Sequence, residues 1–176
     1  MSAVFTVGHS THSLAEFIDL LKRAGARRVV DVRTMPRSRT NPQFNAEVLP
    51  AGLAAAGIGY EHIAALGGLR SRRREVDEHT NAYWENASFH NYADYAMSDA
   101  FAAGFTRLRQ LAAETPTAVM CAEALWWRCH RRIIADYLIT AGVEVRHIMS
   151  DGSVVEARLT PAAQRRQSVL VYPHSA

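Results

Sequence analysis

The sequence predicts an α/β protein with three layers, in which a mainly parallel sheet lies between two layers of helices. Short apolar runs alternate along the chain with segments of helical periodicity, which is the pattern of repeated strand–helix–strand units. Such units cross over in the right-handed sense and cover both faces of the sheet with helices. Since 176 residues with 48% hydrophobic residues suffice for one well-filled core, we expect a single domain over residues 1–176.

Five apolar runs predict the strands, and five periodic or capped segments predict the helices. The strands are expected at residues 4–8, 28–32, 58–63, 117–121 and 143–148. The helices are expected at residues 14–24, 45–56, 90–97, 99–113 and 127–141. Ser13 and Glu16 form a capping-box pattern before the first helix, and Ser98 suits the N-cap of the fourth. Glycines typical of helix ends follow three of the helices: Gly25, Gly57 and Gly142.

Three segments lack a regular pattern. Residues 33–43 contain two prolines, so we expect a loop over the edge of the sheet. Residues 65–87 are weakly periodic, and an excursion of that length inside a domain is usually functional or disordered. The tail, residues 151–176, is expected to add an edge strand or to pack loosely.

The composition predicts a cytoplasmic protein without a membrane partner. No apolar run approaches the ~18 to 20 residues that span a bilayer, and residues 1–9 lack a charged-then-apolar leader. Two cysteines are too few for a disulfide scaffold, so we expect both thiols to be reduced. The formal net charge is +3, and the predicted loop at residues 70–74 contains four arginines. This cluster suits phosphate, although a solvated charged loop is the alternative.

Polar, titratable residues follow the carboxyl ends of the predicted strands. In a parallel sheet these ends share one edge, where ligands bind. The residues are His9 and Ser10 after the first strand, Asp31 and Arg33 at the second, His62 at the third, Cys121 and Glu123 at the fourth, and His147 at the fifth. We therefore expect a common cavity lined by most of the functional groups of six residues: His9, Arg33, His62, Cys121, Glu123 and Arg131.

Cys121 is the predicted nucleophile of this cavity. It ends a buried strand and faces the start of the next helix, whose unpaired amides favour an anion, so its thiol is expected to be unusually acidic. His9 or His130 is the expected general acid or base, and Glu123 and Asp31 are expected to orient the other groups. The alternative for Cys121 is the common role of a small apolar core residue.

Anion binding is predicted from arginines and backbone groups near the same edge. Arg33, Arg37 and Arg131 could hold a phosphate, sulfate or carboxylate together with the backbone of Gly67 and Gly68. The alternative is a pair of internal ion pairs that brace the loops, between Asp31 and Arg33 and between Glu123 and Arg131. Ser10, His62, Tyr92 and Tyr95 complete the predicted substrate-binding set, with core packing as the alternative for the two tyrosines.

Five motifs resemble the bacterial and archaeal family catalogued as "domain of unknown function 488". They are Gly8-His9-Ser10; Asp31-Val32-Arg33 followed by Pro36-Arg37-Ser38; Tyr60-Glu61-His62 with Leu66-Gly67-Gly68; Asn91-Tyr92-Ala93-Asp94-Tyr95; and Cys121-Ala122-Glu123 with Cys129-His130-Arg131. These motifs place the motif-bearing core at about residues 5–150. The resemblance implies a compact α/β domain of this size, with the motif residues gathered at one site. It implies no particular substrate.

These observations predict an enzyme that acts on a small anionic or nucleotide-like substrate in a Cys/His/Glu/Arg pocket at the carboxyl edge of the sheet. One alternative is a nucleic-acid-binding or accessory module without turnover. Another is a metal-binding protein that uses ligands such as Cys121, Glu123 and Cys129, although the paired Cys-x-x-Cys spacing of structural zinc sites is absent. We assign no metal ligand, and the cofactor and oligomeric state stay open.

Overall fold

Six strands form the central sheet in the computed structural model, which describes residues 3–174. They are β1 (Val4–Gly8), β2 (Arg28–Asp31), β3 (Gly59–His62), β4 (Thr117–Cys121), β5 (Val145–Ile148) and β6 (Val154–Glu156). Their order across the sheet is β3-β2-β4-β1-β5-β6. The first five strands are parallel, and β6 pairs antiparallel with β5 at the edge. The predicted mainly parallel sheet is confirmed.

Five α-helices cover the two faces of this sheet. They are α1 (Leu14–Ala24), α2 (Leu49–Ala55), α3 (Ala87–Tyr95), α4 (Asp99–Glu114) and α5 (Arg131–Thr140). Successive residues of a strand point to opposite faces. Val7 of β1 therefore packs with the side chains of α1 and α2, whereas Val4 packs with those of α3, α4 and α5. Two apolar cores result, one on each face, and the αβα class is confirmed.

Local signals explain where several helices begin. The predicted capping box of α1 is present, with Ser13 Oγ accepting from the Glu16 backbone N–H and Glu16 Oε1 accepting from the Ser13 backbone N–H. The prediction of a helix from residue 45 is wrong by one turn, because α2 begins at Leu49, with a proline in its first turn. Helix α3 begins before the predicted residue 90, because the Asn86 side chain caps its N-terminus.

The predicted helix at residues 127–141 begins later than expected, and this error bears on the site. A 3₁₀ turn occupies Trp126–Arg128, and Cys129 has the extended backbone angles φ −127° and ψ 148°. The α-helix itself begins only at Arg131. Cys129 and His130 are therefore in the connection between β4 and α5 and not within the helix.

The tail packs against the domain through an edge strand and a short ribbon. Strand β6 extends the sheet, and β7 (Gln164–Arg166) pairs antiparallel with β8 (Val169–Val171). The segment ends in the buried Tyr172, whose hydroxyl donates to Asp136 at 2.9 Å and whose backbone N–H donates to Asn81 at 2.9 Å. None of the helices within residues 3–174 has the length and apolar character needed to cross a membrane.

Because the imidazole of His147 is buried, the protein should be less stable in acid. Burial, with the charge of Arg131, lowers the pKa of this imidazole from 6.5 to about 4. Between these two pH values the unfolded chain binds a proton at His147 and the folded protein does not. The contribution of neutral His147 to the free energy of unfolding is therefore fully present above about pH 6.5 and is lost as the pH falls toward about 4. At about 1.4 kcal/mol per pH unit, the expected loss is about 3 kcal/mol. Burial also lowers the pKa of His9 and of His130, so both residues add to this loss of stability in acid.

Urea unfolding at about pH 7 and about pH 4 measures this effect. The matched variant is His147→Asn, whose amide can still bond Thr6 Oγ1, the hydroxyl that lies 2.6 Å from His147 Nδ1. The variant should lose about 3 kcal/mol less than the wild type between the two pH values. An equal loss in both proteins would exclude His147 as the cause.

Candidate functional site

A cleft of about 640 Å³ opens at the carboxyl edge of the sheet, where the loops after β1, β2 and β4 meet. Eight of the predicted site residues line it: His9, Ser10, Arg33, Arg37, Gly68, Cys121, Glu123 and His130. Six others do not line it: Asp31, His62, Gly67, Tyr92, Tyr95 and Arg131. Cys129 also lines the cleft, although it was not among the predicted site residues.

Two thiols meet at this cleft. Cys121 is the last residue of β4, and the extended backbone of Cys129 brings the second side chain back toward it. The Cys129 Sγ–H group donates to Cys121 Sγ across 2.8 Å. Both cysteines are free and almost completely buried. The two sulfurs therefore form a close dithiol pair.

The buried guanidinium of Arg131 lies against the dithiol. Its Nη1 donates to Cys121 Sγ at 2.8 Å and to the backbone carbonyl of Glu123 at 2.7 Å, and its Nη2 donates to the carbonyl of Ala124 at 3.1 Å. Nε has no partner. The Arg131 backbone N–H also reaches Cys129 Sγ, at 3.5 Å. The guanidinium therefore bonds to carbonyl groups and sulfur and is too deeply buried for the predicted contact with an external anion. Among residues 3–174 it does not form the alternative ion pair with the Glu123 carboxylate either.

The surroundings of the two sulfurs shift their pKa values in opposite directions. Burial, followed by the hydrogen bond with Cys129, raises the pKa of the Cys121 thiol, so the prediction of an unusually acidic Cys121 is wrong. Burial also disfavours ionisation of Cys129, but the hydrogen bond with Cys121 and the positive charge and backbone N–H of Arg131 outweigh it and lower its pKa. Because the sulfurs are in contact, they titrate as one pair.

His130 contacts the dithiol on the side of Cys129. Its Nε2 lies 2.8 Å from the carbonyl of Val32, which can only accept, so Nε2 carries the proton and Nδ1 has a free lone pair. Nδ1 lies 3.4 Å from Cys129 Sγ. Gly68 makes room for this ring, because a Cβ at that position would lie 2.5 Å from Nδ1. His130 is thus placed as a proton acceptor beside the second thiol.

His9 and Arg33 form another part of the cleft, and a chain of hydrogen bonds connects them to Asp31, which does not line it. Asp31 is completely buried and accepts from Arg33 Nε at 2.9 Å and from Nη2 at 2.7 Å. Arg33 Nη1 donates to His9 Nε2 at 3.3 Å, so His9 is neutral and its Nδ1–H donates to the Ser10 carbonyl at 2.9 Å. Arg33 Nη2 also donates to the carbonyl of Phe44, which leaves one N–H on Nη1 for a ligand.

Replacing Asp31 with Asn should destabilise the protein by about 3 to 5 kcal/mol, because the buried Arg33 charge would lose its carboxylate. Glu61→Gln is the matched control, since Glu61 makes the same two-bond contact with Arg107 in an exposed position, at 2.8 Å for each bond. Glu61→Gln should lower the free energy of unfolding by less than about 1 kcal/mol. Denaturant unfolding of both variants measures the difference, and equal effects would show that the Asp31 pair contributes no more than a surface ion pair.

Several predicted substrate-binding residues support the cleft from behind. His62 Nε2 donates to the carbonyl of Arg33 at 2.7 Å. The hydroxyl groups of Tyr92 and Tyr95 donate to the carbonyls of Leu66 and Ala65, at 2.8 and 2.6 Å, and so fix the turn that precedes Gly67 and Gly68. These contacts place the three side chains outside the lining of the cleft.

Glu123 and Arg37 lie at the exposed rim. The Glu123 carboxylate accepts from the Leu125 backbone N–H at 3.1 Å, and Arg37 pairs with Glu47 at 2.9 Å. Neither side chain contacts the dithiol directly. Within residues 3–174 there is no cluster of three or more His, Cys, Asp or Glu side chains that could hold a metal ion. The metal-binding alternative therefore gains no support from the site.

Comparison with known proteins identifies the family. No curated protein and no solved structure matches the chain significantly. The family model described as "Domain of unknown function DUF488" matches residues 13–138, which include β2, β4 and both cysteines of the cleft. Since this match covers well over half of the sequence, the chain belongs to the DUF488 family.

Proposed function

We propose that the protein is an enzyme that uses an ionised dithiol, formed by Cys121 and Cys129, as the nucleophile toward a small anionic substrate bound in the cleft. The main observation behind this proposal is the buried guanidinium of Arg131. Among residues 3–174 no carboxylate forms a salt bridge with it, and one of its three acceptors is a sulfur.

A buried cation without an anionic partner is costly, by several kcal/mol. A negative charge shared by the two sulfurs removes that cost, because Arg131 Nη1 lies 2.8 Å from Cys121 Sγ and the Arg131 backbone N–H donates to Cys129 Sγ at 3.5 Å. Carbonyl groups alone supply only partial charges. The pair of sulfurs then holds one proton and one negative charge, and Arg131 contacts both sulfurs, one through its side chain and one through its backbone N–H.

Cys129 is the better placed of the two sulfurs to attack a substrate. Its pKa is lowered, whereas burial raises that of Cys121. His130 Nδ1 lies beside it and can take up a proton when the thiol is neutral. In the proposed step a bond forms between Cys129 Sγ and an electrophilic centre of the substrate, and the leaving group departs with the electron pair of the broken bond. Cys121 stabilises the thiolate by sharing the remaining proton.

The same cleft offers groups that can bind an anion. Arg33 presents its one remaining N–H from a position fixed by Asp31 and His9, and Arg37, which is exposed and pairs with Glu47, adds a positive charge at the rim. Glu123 is exposed there and can exchange a proton with the substrate or the solvent. A cytoplasmic location is part of this proposal, because a reducing compartment keeps both thiols free.

Alkylation by iodoacetamide, followed by mass spectrometry over a range of pH, tests the proposal. In the native wild type, Cys129 should react with an apparent pKa at least about 1 unit below the ordinary thiol value of about 8.5. Cys129→Ser should abolish the fast reaction. Cys121→Ala should slow it, because alanine has no S–H group to donate to the Cys129 thiolate and stabilise it.

The wild type unfolded in urea is the control, since its thiols have no shifted environment. If the native protein reacts only after unfolding, or with the same apparent pKa as the unfolded chain, the dithiol is a core contact and the proposed chemistry fails.

A further inference from the structure

A second recess lies beside the cleft. It measures about 390 Å³ and is lined by Leu69, Arg70, Ser71, Arg72, Arg73, Glu75 and Tyr95. We call it the arginine groove. Leu69 also lines the main cleft and is highly exposed, so the two recesses are neighbours on either side of this one residue.

Arg70 is held rigidly in the arginine groove. Its Nε donates to the Gly67 carbonyl at 3.0 Å, and its Nη2 donates to the Ala64 carbonyl at 2.7 Å. The guanidinium also lies over the Tyr95 ring, 3.8 Å from the centroid, and the Tyr95 hydroxyl is itself bonded to the backbone. Among the residues that the structure describes, neither N–H group of Nη1 has a hydrogen-bond partner, so both can bind a ligand. Little conformational entropy is therefore lost when this side chain binds an anion.

The arginine groove carries more positive than negative charge. Arg73 pairs with Glu75 at 2.9 Å. In the part of the chain that the structure describes, Arg70 and Arg72 form no salt bridge with a carboxylate. Three guanidiniums thus face one carboxylate. Planar guanidiniums match the geometry of phosphate oxygens, which they bind through two parallel hydrogen bonds.

We propose that the arginine groove binds the phosphate groups of a nucleotide-like substrate whose reacting part enters the cleft. The second half of this statement rests on the proposed function, whereas the binding of phosphate by the groove does not. Leu69 and Met35, both exposed at the edge of the cleft, offer apolar surface for the part of the substrate between phosphate and reacting centre.

The charges that follow the groove favour a small ligand over a nucleic-acid strand. Glu75, Asp77 and Glu78 come directly after the arginines and are exposed. These carboxylates would repel a phosphodiester backbone that continued along the loop. The recess is accordingly suited to one or two phosphate groups.

Titration calorimetry of the full chain with inorganic pyrophosphate tests the groove. The wild type should bind it. Arg72→Ala removes an exposed guanidinium, and Arg70→Lys keeps the charge but removes the fork, so each should weaken binding by about 10-fold. The matched control is Arg109→Ala, an exposed arginine of α4 outside both recesses, which should change the affinity by less than about twofold.

Adenosine diphosphate extends the test to the cleft. It should bind more tightly than pyrophosphate and should slow the alkylation of Cys129, and Arg72→Ala should reduce that protection. Binding of pyrophosphate to the Cys121→Ser/Cys129→Ser double variant should equal that of the wild type. If it does while the wild-type thiols prove not to be acidic, the groove is supported and the proposed enzyme chemistry is rejected.

Three results would overturn the proposal for the groove. Pyrophosphate could fail to bind the wild type. Arg109→Ala could weaken binding as much as Arg72→Ala, which would indicate general charge attraction. A single-stranded oligonucleotide could bind far more tightly than pyrophosphate and lose affinity in Arg109→Ala as well, which would indicate an extended nucleic-acid surface.

Discussion

Replacing Arg131 with Met should slow the alkylation of the dithiol near pH 7 by about 100-fold. An opposite charge within about 4 to 6 Å lowers the pKa of an acidic group by about 1 to 3 units, and the guanidinium is only 2.8 Å from Cys121 Sγ. Methionine fills a similar volume without the charge. The thiolate then loses its counter-ion, and the reactive fraction falls at neutral pH.

The control for Arg131→Met is Arg128→Met, which removes an exposed guanidinium of the neighbouring 3₁₀ turn. Solvent screens that charge, so the rate should change by less than about threefold. Alkylation rates measured at several pH values separate a shifted pKa from a change in access. If Arg131→Met reacted as fast as the wild type near pH 7, Arg131 would have no role in ionising the thiols.

Gly8→Ala should destabilise the protein by about 3 kcal/mol or more. The loop after β4 passes directly over the end of β1, so a Cβ on Gly8 would lie 1.9 Å from the Glu123 carbonyl oxygen, which is a backbone atom. One of the two must move, and overpacking in a rigid region is costly. The same carbonyl accepts from Arg131 Nη1, so the displacement would also disturb the contacts of the dithiol.

Gly59→Ala is the matched control, because Gly59 is also in a strand but its Cβ would meet other atoms at 3.6 Å or more. Thermal or urea unfolding should show little change for this variant and a large loss for Gly8→Ala. A stability of Gly8→Ala within about 1 kcal/mol of the wild type would mean that the loop yields easily and that its position does not depend on the glycine.

The strand-end residues were predictable because strand periodicity and parallel topology determine which side chains reach one edge. His9, Arg33 and Cys121 follow three strands that are neighbours in the sheet, and all three line one cleft. The internal ion pair between Asp31 and Arg33 was an open alternative. Its formation depends on the rotamers of two adjacent strand-end residues, which periodicity does not determine.

Cys129 could not be placed from periodicity, because Trp127 lies on roughly the same helical face as Ile134 and Leu138, so the pattern predicts one continuous helix from residue 127. The chain instead forms a 3₁₀ turn and an extended residue before α5 begins. That conformation turns the Cys129 side chain toward Cys121. In a continuous helix, by contrast, the side chains of Cys129 and His130 would point about 100° apart, and both could not easily face the same site. The one available signal was the close spacing of two cysteines around a turn in a sequence that contains no others.

Arg131 was expected to hold an external anion, yet its side chain is completely buried and bonds to carbonyls of the loop after β4. The sequence could not distinguish a guanidinium that faces a ligand from one that faces its own backbone, because both positions follow the same strand-to-helix turn. Only the path of residues 122–125 decides between them. That path gives Arg131 a sulfur, and no carboxylate of residues 3–174, as its partner.

The charge state of the dithiol tests the account most directly. Thiolates absorb ultraviolet light more strongly than thiols, so a pH titration of the native wild type counts them, with the Cys121→Ser/Cys129→Ser double variant as the blank. The account predicts a thiolate that titrates at least about 1 unit below about 8.5, is already present in part near pH 7, disappears on acidification and is absent near pH 7 in Arg131→Met. The account would be contradicted if no thiolate were detected until the pH approached about 8.5, the pKa of an ordinary thiol.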